Sequence, residues 1–92
     1  MLSKEDADRA LSIAKGESGR VRDIVREVAA LSSVPVAMIL SENRTAQVVL
    51  ARDLVCFVAH NRGHSDSAIG RAIGRDHTSV GTARRREEAR RR

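Results

Sequence analysis

Apolar residues recur along this chain at intervals of three and four, which is the periodicity of an amphipathic α-helix. The clearest set is Val21, Ile24, Val25 and Val28, which share one face of a helix predicted over Arg20–Leu31. No stretch shows the sustained alternation of apolar and polar residues that is typical of a half-buried strand. The pattern therefore predicts an all-α fold.

Two more helices are predicted in the middle of the chain. Proline suits a first helical turn, which favours a short helix over Pro35–Leu40. Its residues available for burial are Met38, Ile39 and Leu40. Thr45 is the predicted N-cap of the longest helix, Ala46–Asn61, which is apolar over much of its circumference. A helix of that composition is expected at the centre of the core.

The N-terminal segment carries a weaker helical pattern. Ser3 and Asp6 suggest an N-cap and an acidic first turn for a helix over Lys4–Ala14, whose apolar stripe is mostly alanine. Because that stripe buries little area, the helix is expected either to pack on the domain or to bind a protein partner. Residues 1–19 are thus predicted as an N-terminal helix and linker, and residues 20–92 as one small domain with a basic C-terminal tail.

The stretch Asp66–Arg85 (DSAIGRAIGRDHTSVGTARR) has the spacing of a helix-turn-helix unit with Ser65 as its N-cap. Gly74 can supply the turn because glycine adopts positive φ at little cost, and Gly70 lies where two helices must approach closely. The inward-facing residues are Ile69, Ile73, Val80 and Ala83, and the outward stripe of the second helix is Thr78, Thr82 and Arg85. Hydrogen-bonding and cationic groups on that stripe are what a helix in a DNA groove requires.

The distribution of charge indicates a polyanionic partner. The net charge is +5, and residues 61–92 carry nine arginines against four acidic residues. DNA is the commonest partner of such a surface, although Arg84–Arg92 alone also fits a solvated basic tail. Phe57 is the only aromatic residue, so the chain is poorly equipped to stack the bases of RNA or single-stranded DNA.

The segment Gly70–Val80 (GRAIGRDHTSV) closely resembles the C-terminal DNA-binding domain of the bacterial replication initiator DnaA. In that family a G-RDHT-[TS]-V run opens the recognition helix. The likeness extends more weakly over Val21–Arg86, where the order of helices and loops follows that of the family. The resemblance implies sequence-specific binding of double-stranded DNA through both grooves.

The resemblance also implies which residues contact DNA. Arg44 matches a loop arginine that enters the minor groove, and the family's major-groove set falls on Asp76, His77, Thr78 and Ser79. Arg52, Arg84 and Arg85 are expected on phosphates, and Arg75 on phosphate or base. The complete predicted site is Arg44, Arg52, Ser67, Arg75, Asp76, His77, Thr78, Ser79, Thr82, Arg84 and Arg85.

Some of these residues have plainer interpretations. Asp76 suits an N-cap, which is compatible with base contact, and Arg52 suits an ion pair on a helix surface. The loop at Arg44 departs from the family, because Glu42 and Asn43 stand where basic residues are usual. Ser67 stands in a place where the family often has an apolar Leu-Pro pair, which favours a different target sequence.

Several functions are not supported by the sequence. There is no phosphate-binding G-x-x-x-x-G-K-[ST], so no nucleotide is expected, and no catalytic constellation indicates an enzyme. Cys56, His60 and His64 are spaced by four, but Gly63 interrupts the helix and no fourth ligand is evident, so neither metal nor cofactor is expected. One cysteine, with no signal peptide or membrane-length apolar run, predicts a cytoplasmic protein on the nucleoid, without membrane contact.

The sequence thus predicts a sequence-specific reader of duplex DNA that binds as a monomer. A chain that begins at Met1 and lacks the ATPase motif favours a regulator of transcription. Three alternatives remain open: a reading domain in replication initiation, a nonspecific architectural DNA binder, and a protein-interaction module that docks through its N-terminal helix.

Overall fold

The computed structural model describes residues 20–92, which form five α-helices and no strand. The helices are α1 (Val21–Ser32), α2 (Val36–Ile39), α3 (Ala46–Asn61), α4 (Asp66–Ile73) and α5 (His77–Arg90). The predicted all-α class is confirmed, and each of the four predicted helical regions from residue 20 onward contains helix. The predicted helix Lys4–Ala14 lies outside the described residues.

The core is built around α3, as its apolar circumference predicted. Leu54, Val55 and Val58 in this helix are completely buried, and α1 and α5 both pack against it. The predicted face of α1 is buried as well, with Ile24 and Val28 at 2% and 0% exposure. Because two other helices cover α3, nearly every residue in its middle two turns is removed from water.

The short helix α2 contributes less than the sequence predicted. Ile39 is fully buried and Met38 is partly buried against the core, but Leu40 is 42% exposed. Leu40 follows the last residue of α2 and serves as its C-cap, so its side chain leaves the buried face. The prediction that Leu40 is buried is therefore wrong.

The helix-turn-helix forms as its local sequence predicted. The Ser65 side chain caps α4 by accepting a hydrogen bond from the Ala68 amide at 3.1 Å, and Gly74 ends α4 with φ of 75°. At Gly70 a methyl group would overlap the backbone carbonyl of Arg75. The close approach predicted for Gly70 is therefore confirmed, although its partner is the turn rather than the side of the second helix.

The recognition helix α5 continues past Arg85 to Arg90, through most of the segment predicted as a basic tail. Two of its arginines anchor it to α3. Arg86 binds both carboxylate oxygens of the fully buried Asp53 at 3.0 and 2.9 Å, and Arg90 binds Asp53 at 2.8 Å. Arg86 and Arg90 are thus part of the folded domain, because a buried carboxylate needs cationic partners.

Candidate nucleic-acid interface

An open cleft of about 830 Å³ lies between the loop that precedes α3 and the first half of α5. Side chains of Val49, Ile73 and Val80 contribute to its apolar lining. Seven of the predicted site residues also line it: Arg44, Arg52, Arg75, Asp76, Thr78, Ser79 and Thr82. The fold therefore brings the arginine predicted for the minor groove and most of the set predicted for the major groove to one surface.

The start of α5 is fixed by Asp76, which is its N-cap. The Asp76 carboxylate accepts a hydrogen bond from the Ser79 amide at 2.8 Å. That bond lowers the pKa of Asp76, so this exposed side chain carries a negative charge at neutral pH. The carboxylate lies exposed at the helix terminus, where a cytosine amino group is a suitable donor.

The next turns of α5 expose the predicted reading residues. His77, Thr78 and Thr82 are exposed, whereas Val80 and Ala83 are 1% and 4% exposed. The Thr82 hydroxyl donates to the Thr78 carbonyl at 3.1 Å, which orients its lone pairs outward. Exposure thus confirms the outward orientation predicted for Thr78, Thr82 and Arg85, while their DNA contacts stay a prediction. His77 lies beside the cleft rather than in its lining.

The loop that carries Arg44 is shaped by Asn43. The Asn43 side-chain oxygen accepts hydrogen bonds from the Thr45 amide at 2.9 Å and the Thr45 hydroxyl at 2.8 Å. Thr45 occupies the predicted N-cap position of α3, but its side chain makes no capping bond because Asn43 engages it. The Arg44 side chain remains exposed at the cleft.

Arg52 is committed to the same loop. Its guanidinium donates to the carbonyls of Ile39, Ser41, Asn43 and Met38, at 2.9, 2.8, 3.2 and 3.3 Å. The residue is only 8% exposed, and burial lowers its pKa. These bonds argue against the phosphate contact predicted for Arg52 and give it the role of holding the loop.

Arg75 reaches the loop from the opposite side of the cleft. One of its terminal nitrogens donates to the carbonyl oxygen of Ser41, which also accepts from Arg52. Arg75 is partly exposed, so the rest of its guanidinium still faces the cleft. The sequence predicted that Arg75 contacts either phosphate or base. Its bond to Ser41 adds a third role, which is a contact within the protein.

Arg84 is also occupied within the fold. It binds Asp66 with two parallel hydrogen bonds of 3.0 and 3.2 Å, which join α5 to the first turn of α4. The bond from Arg84 lowers the pKa of Asp66 and raises that of Arg84. This pairing argues against the phosphate contact predicted for Arg84. Ser67 and Arg85 are exposed but do not line the cleft.

Two charged residues of the cleft were absent from the predicted site. Arg86 lines the cleft, and its side chain is 50% exposed although it binds Asp53. The sequence contained a signal for Arg86, because this residue follows Thr78 and Thr82 at the same spacing of four and therefore shares their helix face. Glu42, two residues before Arg44, also lines the cleft, and its negative charge opposes the approach of phosphate.

The chemistry of Cys56 fits the core rather than a metal site. Burial raises the pKa of its thiol to about 12, so it remains protonated. Among residues 20–92 no group of three His, Cys, Asp or Glu side chains is arranged for a metal ion. Within the same range no helix is both long enough and apolar enough to cross a membrane.

Comparison with known proteins identifies the family to which this chain belongs. The sequence profile of the bacterial DnaA protein helix-turn-helix matches residues 21–86, which include all the described helices up to Arg86 in α5. Neither the curated proteins nor the solved structures contain a match to this chain. With most of its length matched, the chain belongs to the bacterial DnaA helix-turn-helix family, whose domain binds double-stranded DNA.

Proposed function

We propose that this protein is a sequence-specific reader of duplex DNA that serves replication initiation. In this proposal the first half of α5 lies in the major groove and Arg44 enters the adjacent minor groove. Membership of the DnaA family favours initiation over the transcriptional role that the sequence alone suggested. The structure offers no separate support for a role in the regulation of transcription.

The observation that carries the proposal is the cleft shared by the α2–α3 loop and α5. Arg44 and the recognition-helix residues Thr78 and Thr82 border one open surface. A reader that uses both grooves needs its two contact elements on one face, at a fixed separation. This arrangement provides that geometry with side chains that remain exposed.

The chemistry of the surface suits base recognition more than uniform attraction to phosphate. Thr78, Ser79 and Thr82 offer hydroxyl groups, the two threonines also offer methyl groups, and Asp76 offers an acceptor. Arg84 and Arg86, which would add phosphate affinity, bind carboxylates of the same chain. A nonspecific architectural binder would be expected to keep such arginines free.

A docking role for the helix predicted over Lys4–Ala14 is a second proposal, and it concerns residues outside the described range. Deletion of residues 1–19 should leave DNA affinity unchanged if that segment serves a protein partner. Loss of DNA affinity in the deletion variant would instead attribute DNA contact or stability to the segment.

The proposal is tested by selecting bound duplexes from a random pool, followed by salt titrations on the selected duplex and a scrambled control. We expect a defined motif and a preference of about 10³-fold or more over the control. Failure to enrich a motif, with equal and steeply salt-dependent affinity for both duplexes, would show a phosphate-driven binder and contradict the proposal. Resemblance of the motif to sequences at replication origins would support initiation.

A further inference from the structure

Three segments of the fold meet at one backbone atom, the carbonyl oxygen of Ser41. Arg52 from α3 donates to this oxygen at 2.8 Å, and Arg75 from the turn between α4 and α5 donates to it as well. A carbonyl oxygen has two lone pairs and can accept both bonds. The α2–α3 loop, the central helix and the helix-turn-helix are therefore linked directly.

The two guanidinium groups converge although both are positively charged. After burial, the charge of Arg75 is the next cause that lowers the pKa of Arg52. Two like charges stay this close only where hydrogen bonds offset their repulsion. Here the loop carbonyls supply those bonds, so the shape of the loop depends on both arginines.

We infer that Arg75, together with Arg52, is a positioning residue that fixes the spacing between the Arg44 loop and the recognition helix. Arg44 follows Ser41 within the loop, and Asp76 directly follows Arg75. A contact between Ser41 and Arg75 thus sets where the minor-groove element stands relative to the start of α5. This inference rests on the proposed function.

The expected consequence is selective for the correct sequence. A specific complex requires both groove contacts at once, so a loop that is already ordered avoids the cost of ordering on binding. Nonspecific binding needs only phosphates, which tolerate a displaced loop. Loss of the Ser41 contact should therefore lower the specificity ratio more than the general affinity for DNA.

The test compares Arg75→Met with Arg22→Met, a matched control in which an exposed arginine of α1 outside the cleft is changed. Affinities are measured for the selected and scrambled duplexes over a range of salt. Amide hydrogen exchange of residues 42–45 is measured without DNA. For Arg75→Met we expect the affinity for the selected duplex to fall about tenfold, because the free energy of ordering one short loop is of that size. The affinity for the scrambled duplex should change little. The loop amides should exchange faster, and Arg22→Met should change neither readout.

A different result would identify Arg75 as a phosphate contact and overturn the inference. In that case both duplexes would lose affinity alike, the salt slope would fall by about 0.9, and exchange in the free loop would stay unchanged. If Arg75→Met does not fold, Arg75→Gln carries the same comparison, because its shorter side chain ends before the Ser41 carbonyl while its amide keeps a polar group at the turn. Lack of any preference in the wild-type protein would reject the proposed function itself, which is a distinct outcome.

Discussion

The two halves of α5 use their polar residues in opposite ways. In the first half, His77, Thr78 and Thr82 are exposed, and the two threonines face the cleft. In the second half, Arg84 binds Asp66, and Arg86 binds the buried Asp53. The half with the higher charge therefore makes most of its contacts within the fold, and the half with fewer charges is exposed at the cleft.

This difference shows that a dense run of arginines does not by itself mark a DNA contact. An arginine that already binds a carboxylate of the same chain has fewer N–H groups and less net charge to offer a phosphate. Asp53 is completely buried in α3, and a buried carboxylate is stable only with partners. Its ion pairs with cationic side chains hold the second half of α5 in place. The first half of the helix is thereby held at the cleft.

The largest effect should come from removing both partners of Asp53. Arg86→Ala combined with Arg90→Ala would leave a buried carboxylate without its bidentate partner and its second cation. We expect a loss of about 3–5 kcal/mol in the free energy of unfolding, measured by urea denaturation. Arg85→Ala is the control, and because Arg85 is exposed its effect should stay within about 0.5 kcal/mol. Similar losses in both variants would contradict the contrast between the halves.

A smaller effect is expected at the turn that holds the first half of α5. Gly70→Ala would push a methyl group into the Arg75 carbonyl, which cannot move without shifting the turn. We expect a loss of about 1–3 kcal/mol in thermal or chemical unfolding.

Gly81→Ala in α5 is the matched comparison for Gly70→Ala. Its added methyl group would lie 3.2 Å from a terminal nitrogen of Arg85, which is flexible. Since alanine favours a helix, a gain of up to about 1 kcal/mol is expected. A larger loss at Gly81 than at Gly70 would show that the recognition helix, rather than the turn, is the more closely packed element.

The smallest effect concerns the Asp66–Arg84 pair at the boundary between the halves. Because Arg84 lowers the pKa of Asp66, this pair contributes stability above the unfolded pKa, and that stability is lost as pH falls through the folded pKa. Asp66→Asn should lower the free energy of unfolding by about 1 kcal/mol at pH 7, and the difference should fade below about pH 4.

A double-mutant cycle with Arg84→Met isolates this pair from the effect of Asp66 on the α4 terminus. The coupling energy should carry the pH dependence. A coupling that grows as pH falls would contradict the assigned pairing.

Local signals predicted the elements of this fold well. The face of Ile24 and Val28 in α1, the cap at Ser65 and the left-handed turn at Gly74 all depend on residues close together in the chain. The period of the apolar residues and the chemistry of the turns are sufficient for such features. The outward orientation of Thr78 and Thr82 could be predicted from the same helical periodicity.

Long-range partners could not be predicted in this way. The sequence does not show that Arg86 meets Asp53, because they lie on different helices and any arginine of the basic run was an equal candidate. The use of Arg52 as a loop anchor is hidden for the same reason, since its acceptors are backbone carbonyls that carry no sequence signal. The predicted DNA contacts therefore stay predictions, and what the sequence did not reveal is that Arg52 and Arg84 have partners within the fold.

The measurement that tests this account most directly is the affinity of His77→Ala for the selected and scrambled duplexes, with His60→Ala, which changes an exposed histidine of α3, as the control. If the first half of α5 reads bases, His77→Ala should weaken binding to the selected duplex by about 1–3 kcal/mol and leave the scrambled duplex nearly unchanged. His60→Ala should leave both affinities in place. Equal losses on both duplexes, or no loss on either, would contradict the assignment of base reading to the exposed half of the recognition helix.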